Sequence, residues 1–221
     1  MRVVILTTDT PHHLYFVKEI SAIFHIIGIA VETKLPKKPF LTHHTYEDER
    51  DRYEIKELLK GETVRFEDFC VTKVFNNIND DSSIEFIADL KPDVIVTFGT
   101  GLIRKSLINL CKEGFINLHG GDPEYYRGLD SHMWAIYHQE FEQLVVTLHR
   151  LNPGLDDGEV IAQAQLKLHK NSKITTLRAE NAKLCVQLTL SALSVFNQVG
   201  SFASKPQKIN CLLYTSDAAD E

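Results

Sequence analysis

Residues 94–98 read Val94-Ile95-Val96-Thr97-Phe98, and this stretch decides the fold class. It is a short, unbroken apolar run, introduced by Lys91-Pro92-Asp93 and closed by Gly99. A strand of that kind is buried on both faces, as in the middle of a parallel sheet. Upstream, Val3 to Thr7 reads as a second buried strand, and Pro11 fits the first position of a helix. Phe16, Ile20, Ile23 and Ile27 follow at helical spacing, Gly28 ends the run, and Gly28 to Thr33 reads as the next strand. This β-α-β opening takes right-handed crossovers. The prediction is an α/β, Rossmann-like fold with a mostly parallel central sheet flanked by helices.

Further elements follow from the same reading. Lys34 to Phe40 is Pro- and Lys-rich and predicts a loop, and the charged stretch Glu47 to Lys60 predicts a solvated helix over the sheet. Ile84, Ile87 and Ala88 mark a short helix, and Phe115 to Leu118 another strand. Gln143 to Leu151 and Val160 to Leu168 predict a hairpin turning at Asp157-Gly158. Leu177, Leu184, Leu188 and Val195 share one face of a closing helix. The tail 211–221 does not continue the pattern and resembles a translated sequencing adapter. Residues 1–210 are therefore read as one domain and 211–221 as a non-native tail, and the natural C-terminus need not lie in this sequence.

The chain has 221 residues, 43% of them hydrophobic and 24% charged, which suits a globular protein needing no metal or disulfide staple. A net charge of -6 without a dense Lys/Arg tract argues against nucleic acid as partner. The apolar run at the N-terminus is too short for a signal peptide, no stretch reaches membrane-span length, and the cysteines form no C-x-x-C pair. A cytoplasmic protein without membrane contact is expected. Oligomeric state is left open, a homodimer included.

The chemistry lies between Gly114 and Gly158. Asn117 and His119 are two apart at the end of a strand, so both side chains face one site. The carboxyl end of a parallel strand is where such sheets place ligands. Acyl transfer to an amine needs a donor to the developing oxyanion, which the Asn117 amide can supply. It also needs a base near neutral pH, and His119 has a reference pKa of about 6.5. Asp156, in Gly154-Leu155-Asp156-Asp157-Gly158, is the candidate to orient that histidine.

Asn117-Leu118-His119, Tyr126-Arg127-Gly128 and Leu155-Asp156-Asp157-Gly158, in that order and spacing, resemble the signature of the folate-dependent formyltransferases. That family includes glycinamide ribonucleotide, methionyl-tRNA and sugar-nucleotide formyltransferases. The resemblance covers roughly Val94 to Ile161. It implies Asn117, His119 and Asp156 as the catalytic residues and 10-formyltetrahydrofolate as the donor. It also implies Phe98, Gly99, Thr100, Gly101 and Leu102, with Gly154, Leu155 and Asp157, as the folate-binding residues. The expected reaction moves a formyl group to a primary amine of a small acceptor, an amino sugar or sugar nucleotide. Arg127, His12 and Asp9 are further candidate substrate contacts.

The chain departs from the family where His119-Gly120-Gly121-Asp122-Pro123-Glu124 replaces the common His-Pro-Ser-Leu-Leu-Pro. Thr7-Thr8-Asp9-Thr10-Pro11 stands where the glycinamide ribonucleotide enzymes carry a Gly-rich phosphate loop. Neither a basic tRNA-binding domain nor a regulatory domain is read from the sequence. Three other readings stay open. Water as acceptor would give a deformylase. A metal held by His119, Asp122, Glu124 and His132 would give a de-N-acylase. Folate or sugar-nucleotide binding without turnover would give a sensor. The pairs His12-His13 and His43-His44 read as solvated surface, because adjacent side chains diverge; no metal site is assigned. Trp134 is read as core, and Asp130 or Ser131 as the cap of its helix.

Overall fold

A computed structural model describes residues 1–34, 45–208 and 213–214 of the chain. The elements in order are β1 (Val3–Thr8), α1 (Pro11–Ser21), β2 (Ile26–Glu32), α2 (Thr45–Glu57), β3 (Thr72–Phe75), α3 (Asp81–Leu90) and β4 (Val94–Phe98). There follow α4 (Lys105–Ile108), β5 (Phe115–His119), β6 (Tyr126–Arg127), α5 (Ser131–Tyr137), β7 (Val145–Arg150), β8 (Val160–Gln165), α6 (Ile174–Val199) and β9 (Leu213–Tyr214). The main sheet has seven strands in the order β3-β2-β1-β4-β5-β7-β8. The first five are mutually parallel, and β7 and β8 are antiparallel additions. The α/β, mostly parallel prediction holds.

Both faces of the sheet are covered, as the apolar strands require. Val3, Ile5, Val94 and Val96 pack with Phe16 and Ile20 of α1 and Cys185 and Val186 of α6. Their sequence neighbours Val4, Leu6 and Ile95 point the other way, against Phe86 and Ile87 of α3 and Leu107 of α4. Strand order reverses direction at β1, whose neighbours are β2 on one side and β4 on the other. The connections leaving β1 and β4 therefore diverge and open a crevice at their carboxyl ends.

Four expectations need correction. Helix α1 stops at Ser21, Ile23 is exposed, and Ile27 and Gly28 lie inside β2. Gly28 is a packing glycine rather than a helix stop: a Cβ there would stand 2.3 Å from the Leu90 side chain. The charged helix α2 is solvated on one face only. It packs on α6, and its fully buried Glu54 accepts hydrogen bonds from Arg178 Nε at 2.6 Å and Nη2 at 2.9 Å. Asp51 and Glu54 pair with Arg178 of α6 and Glu57 with Lys183, while Asp48, Glu49, Arg52 and Lys56 face solvent. Val195 on α6 is exposed; the buried line runs through Ala182, Cys185, Thr189 and Leu193. Trp134 is half-exposed on α5.

Several boundaries move. The β7–β8 hairpin turns through the loop 151–159 and not at a two-residue turn, and β8 ends at Gln165. Asp130 caps α5 with a left-handed backbone (φ 57°) but no side-chain bond. The loop read for Lys34 to Phe40 and the pair His43-His44 lie outside the described residues, apart from Lys34. So does the tail 211–221, except for β9, whose backbone pairs parallel with β6.

Candidate active site

Strand register builds the site. Thr97 of β4, Asn117 of β5 and His149 of β7 are cross-strand partners and form one polar row across the sheet. Thr97 Oγ1 donates to Asn117 Oδ1 in a short hydrogen bond. Asn117 Nδ2 lies 3.0 Å from His149 Nε2 and 3.2 Å from Asp156 Oδ1. His149 Nδ1 is 2.7 Å from the carbonyl of Arg150, which only accepts, so Nδ1 carries its hydrogen and Nε2 is free to accept from Asn117.

His119 lies one pleat further along β5. Its Nδ1 is 3.3 Å from Asp156 Oδ2, and its Nε2 is 2.8 Å from the carbonyl of Tyr126. Both partners only accept, so satisfying them requires a hydrogen on each ring nitrogen. Asp156 thus lies between two imidazoles, since His149 Nε2 is 3.4 Å from its Oδ1, and the Gly128 N–H donates to its Oδ2 at 2.9 Å. Burial alone would raise the Asp156 carboxyl. The charge of His119 and the hydrogen bond from the Gly128 N–H outweigh it and hold the group well below the usual carboxylate range.

The loop that brings Asp156 here has little freedom. A Cβ on Gly158 would stand 1.7 Å from the Arg150 carbonyl oxygen, so only glycine closes this turn. A Cβ on Gly154 would collide with the carboxylate of Asp157 at 2.1 Å. Asp156 itself is left-handed, at φ 47°, a conformation that costs a non-glycine residue about 1 kcal/mol or more.

The loop after β4 is also pinned. Gly99 is left-handed at φ 83°, and a Cβ there would meet the His13 ring at 2.3 Å. The Gly101 N–H donates to Glu32 Oε2 at 2.8 Å, and Asn79 Nδ2 donates to the Leu102 carbonyl at 2.9 Å. Glu32, at the end of β2, accepts from the Ile78 N–H through its other oxygen. Gly99, Gly101 and Leu102 remain exposed, although the Gly101 N–H and the Leu102 carbonyl are already engaged within the protein.

Asn117, His119 and Asp156 are therefore brought together as expected, and His149 joins them. The sequence reading did not single out His149; its one signal was its place in line with Val145 and Thr147 on alternate positions of β7. Leu155 and Asp157 flank Asp156 in the same loop, with Gly154 one residue before Leu155. Arg127 is buried and tied to protein, its Nε donating to the Pro123 carbonyl at 2.9 Å and its Nη2 to Gln207 Oε1 at 2.7 Å. His12 and His13 are not solvated surface. Both are buried against Phe98 on the α1 face of the sheet. Burial, and secondly the cations around them, hold both rings well below the usual histidine range. His12 contacts Thr10 and Glu54. Asp9 is exposed and lines a groove with Arg65 and Val74. Neither Asp9 nor His12 is among the partners of the trio. Of the residues weighed for a metal, His132 gives Nε2 to the Val145 carbonyl, and Glu124 accepts from the Lys208 N–H. Among the described residues no group of three metal-ligating side chains is found.

An open α/β sheet with an Asn-His-Asp cluster at the carboxyl end of a central strand defines a class of acyl-transfer proteins. The family model described as formyl transferase matches residues 60–193, more than half of the chain, and the chain belongs to that family. A methionyl-tRNA formyltransferase from Thermosynechococcus vestitus is 31% identical over 124 residues, covering 56% of this chain and 36% of that protein. The chain thus spans about a third of the length of the curated relatives it matches. Phosphoribosylglycinamide formyltransferase from Bacillus halodurans has the same fold, with TM-score 0.64 and 14% identity over 91% of this chain and 97% of the other. So has the formyltransferase PseJ from Anoxybacillus kamchatkensis, solved in complex with UDP-4,6-dideoxy-4-formamido-L-AltNAc and tetrahydrofolate (TM-score 0.57, 15% identity, 99% and 88% covered).

Proposed function

We propose that the protein transfers a formyl group from 10-formyltetrahydrofolate to a primary amine of a small acceptor, an amino sugar or sugar nucleotide. The observation that carries this reading is the hydrogen-bonded set of Asn117, His119, His149 and Asp156 at the carboxyl end of β5. The exposed loop of Gly99, Gly101 and Leu102 beside the set leaves room for the edge of a pterin, with no bulky side chain at either glycine. Phe98, Thr100, Gly154, Leu155 and Asp157 are proposed to complete the wall. The donor supplies the activated formyl group; the residues do the rest.

Asn117 aims amide hydrogens into the set and is proposed to turn one of them toward the formyl oxygen as it gains charge. His119, with a hydrogen on both nitrogens in this arrangement, is suited to stabilise that charge. It can act as a base only once one of those two hydrogens has left, which frees a lone pair on that nitrogen. Asp156, held ionised, orients His119 and offers the carboxylate through which the amine proton leaves. The net charge of -6 on the given residues favours a small acceptor over a polyanion such as tRNA at this site.

The test is an acceptor screen with 10-formyltetrahydrofolate, following release of tetrahydrofolate and formylated product. Turnover with a small amine is expected. Release at equal rate without any amine would make water the acceptor. Release with none of the amines, together with no folate-induced rise in melting temperature, would sink the reading.

A further inference from the structure

Gln207 stands outside every motif of the sequence, on the strap 202–208 that follows α6. The strap is fixed without it. Lys205 and Val160 exchange backbone hydrogen bonds of 2.8 and 2.9 Å. Arg150 donates to the Phe202 carbonyl at 2.7 Å and to Ser204 Oγ at 2.9 Å. From this anchored backbone the Gln207 side chain reaches into the loop of Asp156. Its Nε2 donates one hydrogen to the Asp156 carbonyl at 2.7 Å and the other to the Gly158 carbonyl at 2.9 Å. Its Oε1 accepts from Arg127 Nη2 at 2.7 Å.

We infer that Gln207 is a positioning residue for Asp156. The left-handed backbone of Asp156 persists only where its surroundings enforce it. Gln207 grips the carbonyl of that residue and passes the load to Arg127, whose Nε is fixed on the Pro123 carbonyl. The next residue, Gly128, holds the carboxylate of the same aspartate. Main chain and side chain of Asp156 are thus both tied to residues 127–128, and Gln207 supplies the main-chain half of that tie. Only an amide fits: it presents two donors to two carbonyls and one acceptor to a guanidinium. A carboxylate of the same shape would place an oxygen against those carbonyls. The inference rests on the assignment of Asp156 to the reaction.

The experiment compares Gln207→Glu, Gln207→Ala and Asp156→Asn with the unaltered chain. Amide hydrogen exchange is followed over residues 126–130 and 151–158, and steady-state rates are measured with the acceptor found in the screen. Both Gln207 variants should fold, because the strap keeps its other bonds. Their exchange should quicken about tenfold in those two segments and nowhere else. Their kcat should fall about tenfold to a hundredfold, with KM for the formyl donor within roughly threefold, as for a displaced catalytic group. Gln207→Glu should be at least as damaging as Gln207→Ala. Unchanged exchange or unchanged kcat in the Gln207 variants overturns the inference. So does quickened exchange spread through the whole chain, which would mark a merely structural role. If Asp156→Asn abolishes turnover while the Gln207 variants keep it, the inference alone fails. If Asp156→Asn keeps turnover, the assignment of Asp156 fails and the inference falls with it.

Discussion

At the residue scale the site is a shared carboxylate. Asp156 serves two imidazoles and Asn117 at once, so removing any member leaves the others with unmatched groups. Asn117→Ala, His119→Ala and Asp156→Ala should each lower turnover by about 10²–10⁴ while leaving folate affinity nearly intact. His149→Ala should lie between these and the unaltered chain, because His149 fixes Asn117 without a hydrogen to offer the acceptor. Double variants should fall well short of the product of the singles, and turnover with folate titration checks both points. Asp156 also sets an acid sensitivity. Its native value lies below the unfolded value of about 3.9, so its stabilisation is complete above that pH and is lost as pH falls toward the native value. The melting temperature of Asp156→Asn should therefore approach that of the unaltered chain only as pH falls below about 4. Asn117, His119 and Asp156 were legible from the sequence because two-residue spacing and a Gly-rich turn are local signals. His149 and Gln207 were not, because each acquires meaning only from its register against another segment.

At the element scale, the buried strands were legible, the edge strand β3 and the short β6 were not, and the helices were only partly so. Val94–Phe98 holds its position because a strand buried on both faces is almost wholly apolar, and Phe115–His119 holds through Phe115, Ile116 and Leu118, with Asn117 and His119 turned into the site. Helix α2 misled because its sequence carries charge all round, which by itself reads as solvent. The partner that satisfies it, Arg178, lies on α6, far along the chain. This yields a prediction. Arg178→Ala strands the buried carboxylate of Glu54 and should cost roughly 3 kcal/mol or more in denaturant unfolding. Adding Glu54→Leu should restore much of that loss, because a buried pair replaced by apolar packing is often neutral. A double variant as unstable as Arg178→Ala alone would show that Arg178 supports α2 through something other than Glu54.

For the whole molecule, acid is the weak direction. His132 is pushed down to about 4, mainly by burial, and His12 and His13 lie well below the usual range. Each is neutral in the native state and takes up its proton near pH 6.5 once unfolded. Below that pH the unfolded chain binds more protons, so stability falls as pH falls. The melting temperature should drop from pH 7.5 to pH 5, and His132→Gln should flatten that slope; a slope unchanged in the variant would count against it. The sheet carries a consequence of another kind. Strand β5 is the seam where five parallel strands meet an antiparallel hairpin, with Asn117 and His119 on one side and His149 and Asp156 brought by the other. Parallel strands need long crossovers and form slowly, whereas the β7–β8 pair closes from nearby residues. Neither half alone contains the whole cluster. The appearance of catalysis during refolding therefore times one event, the docking of the hairpin onto the completed parallel half.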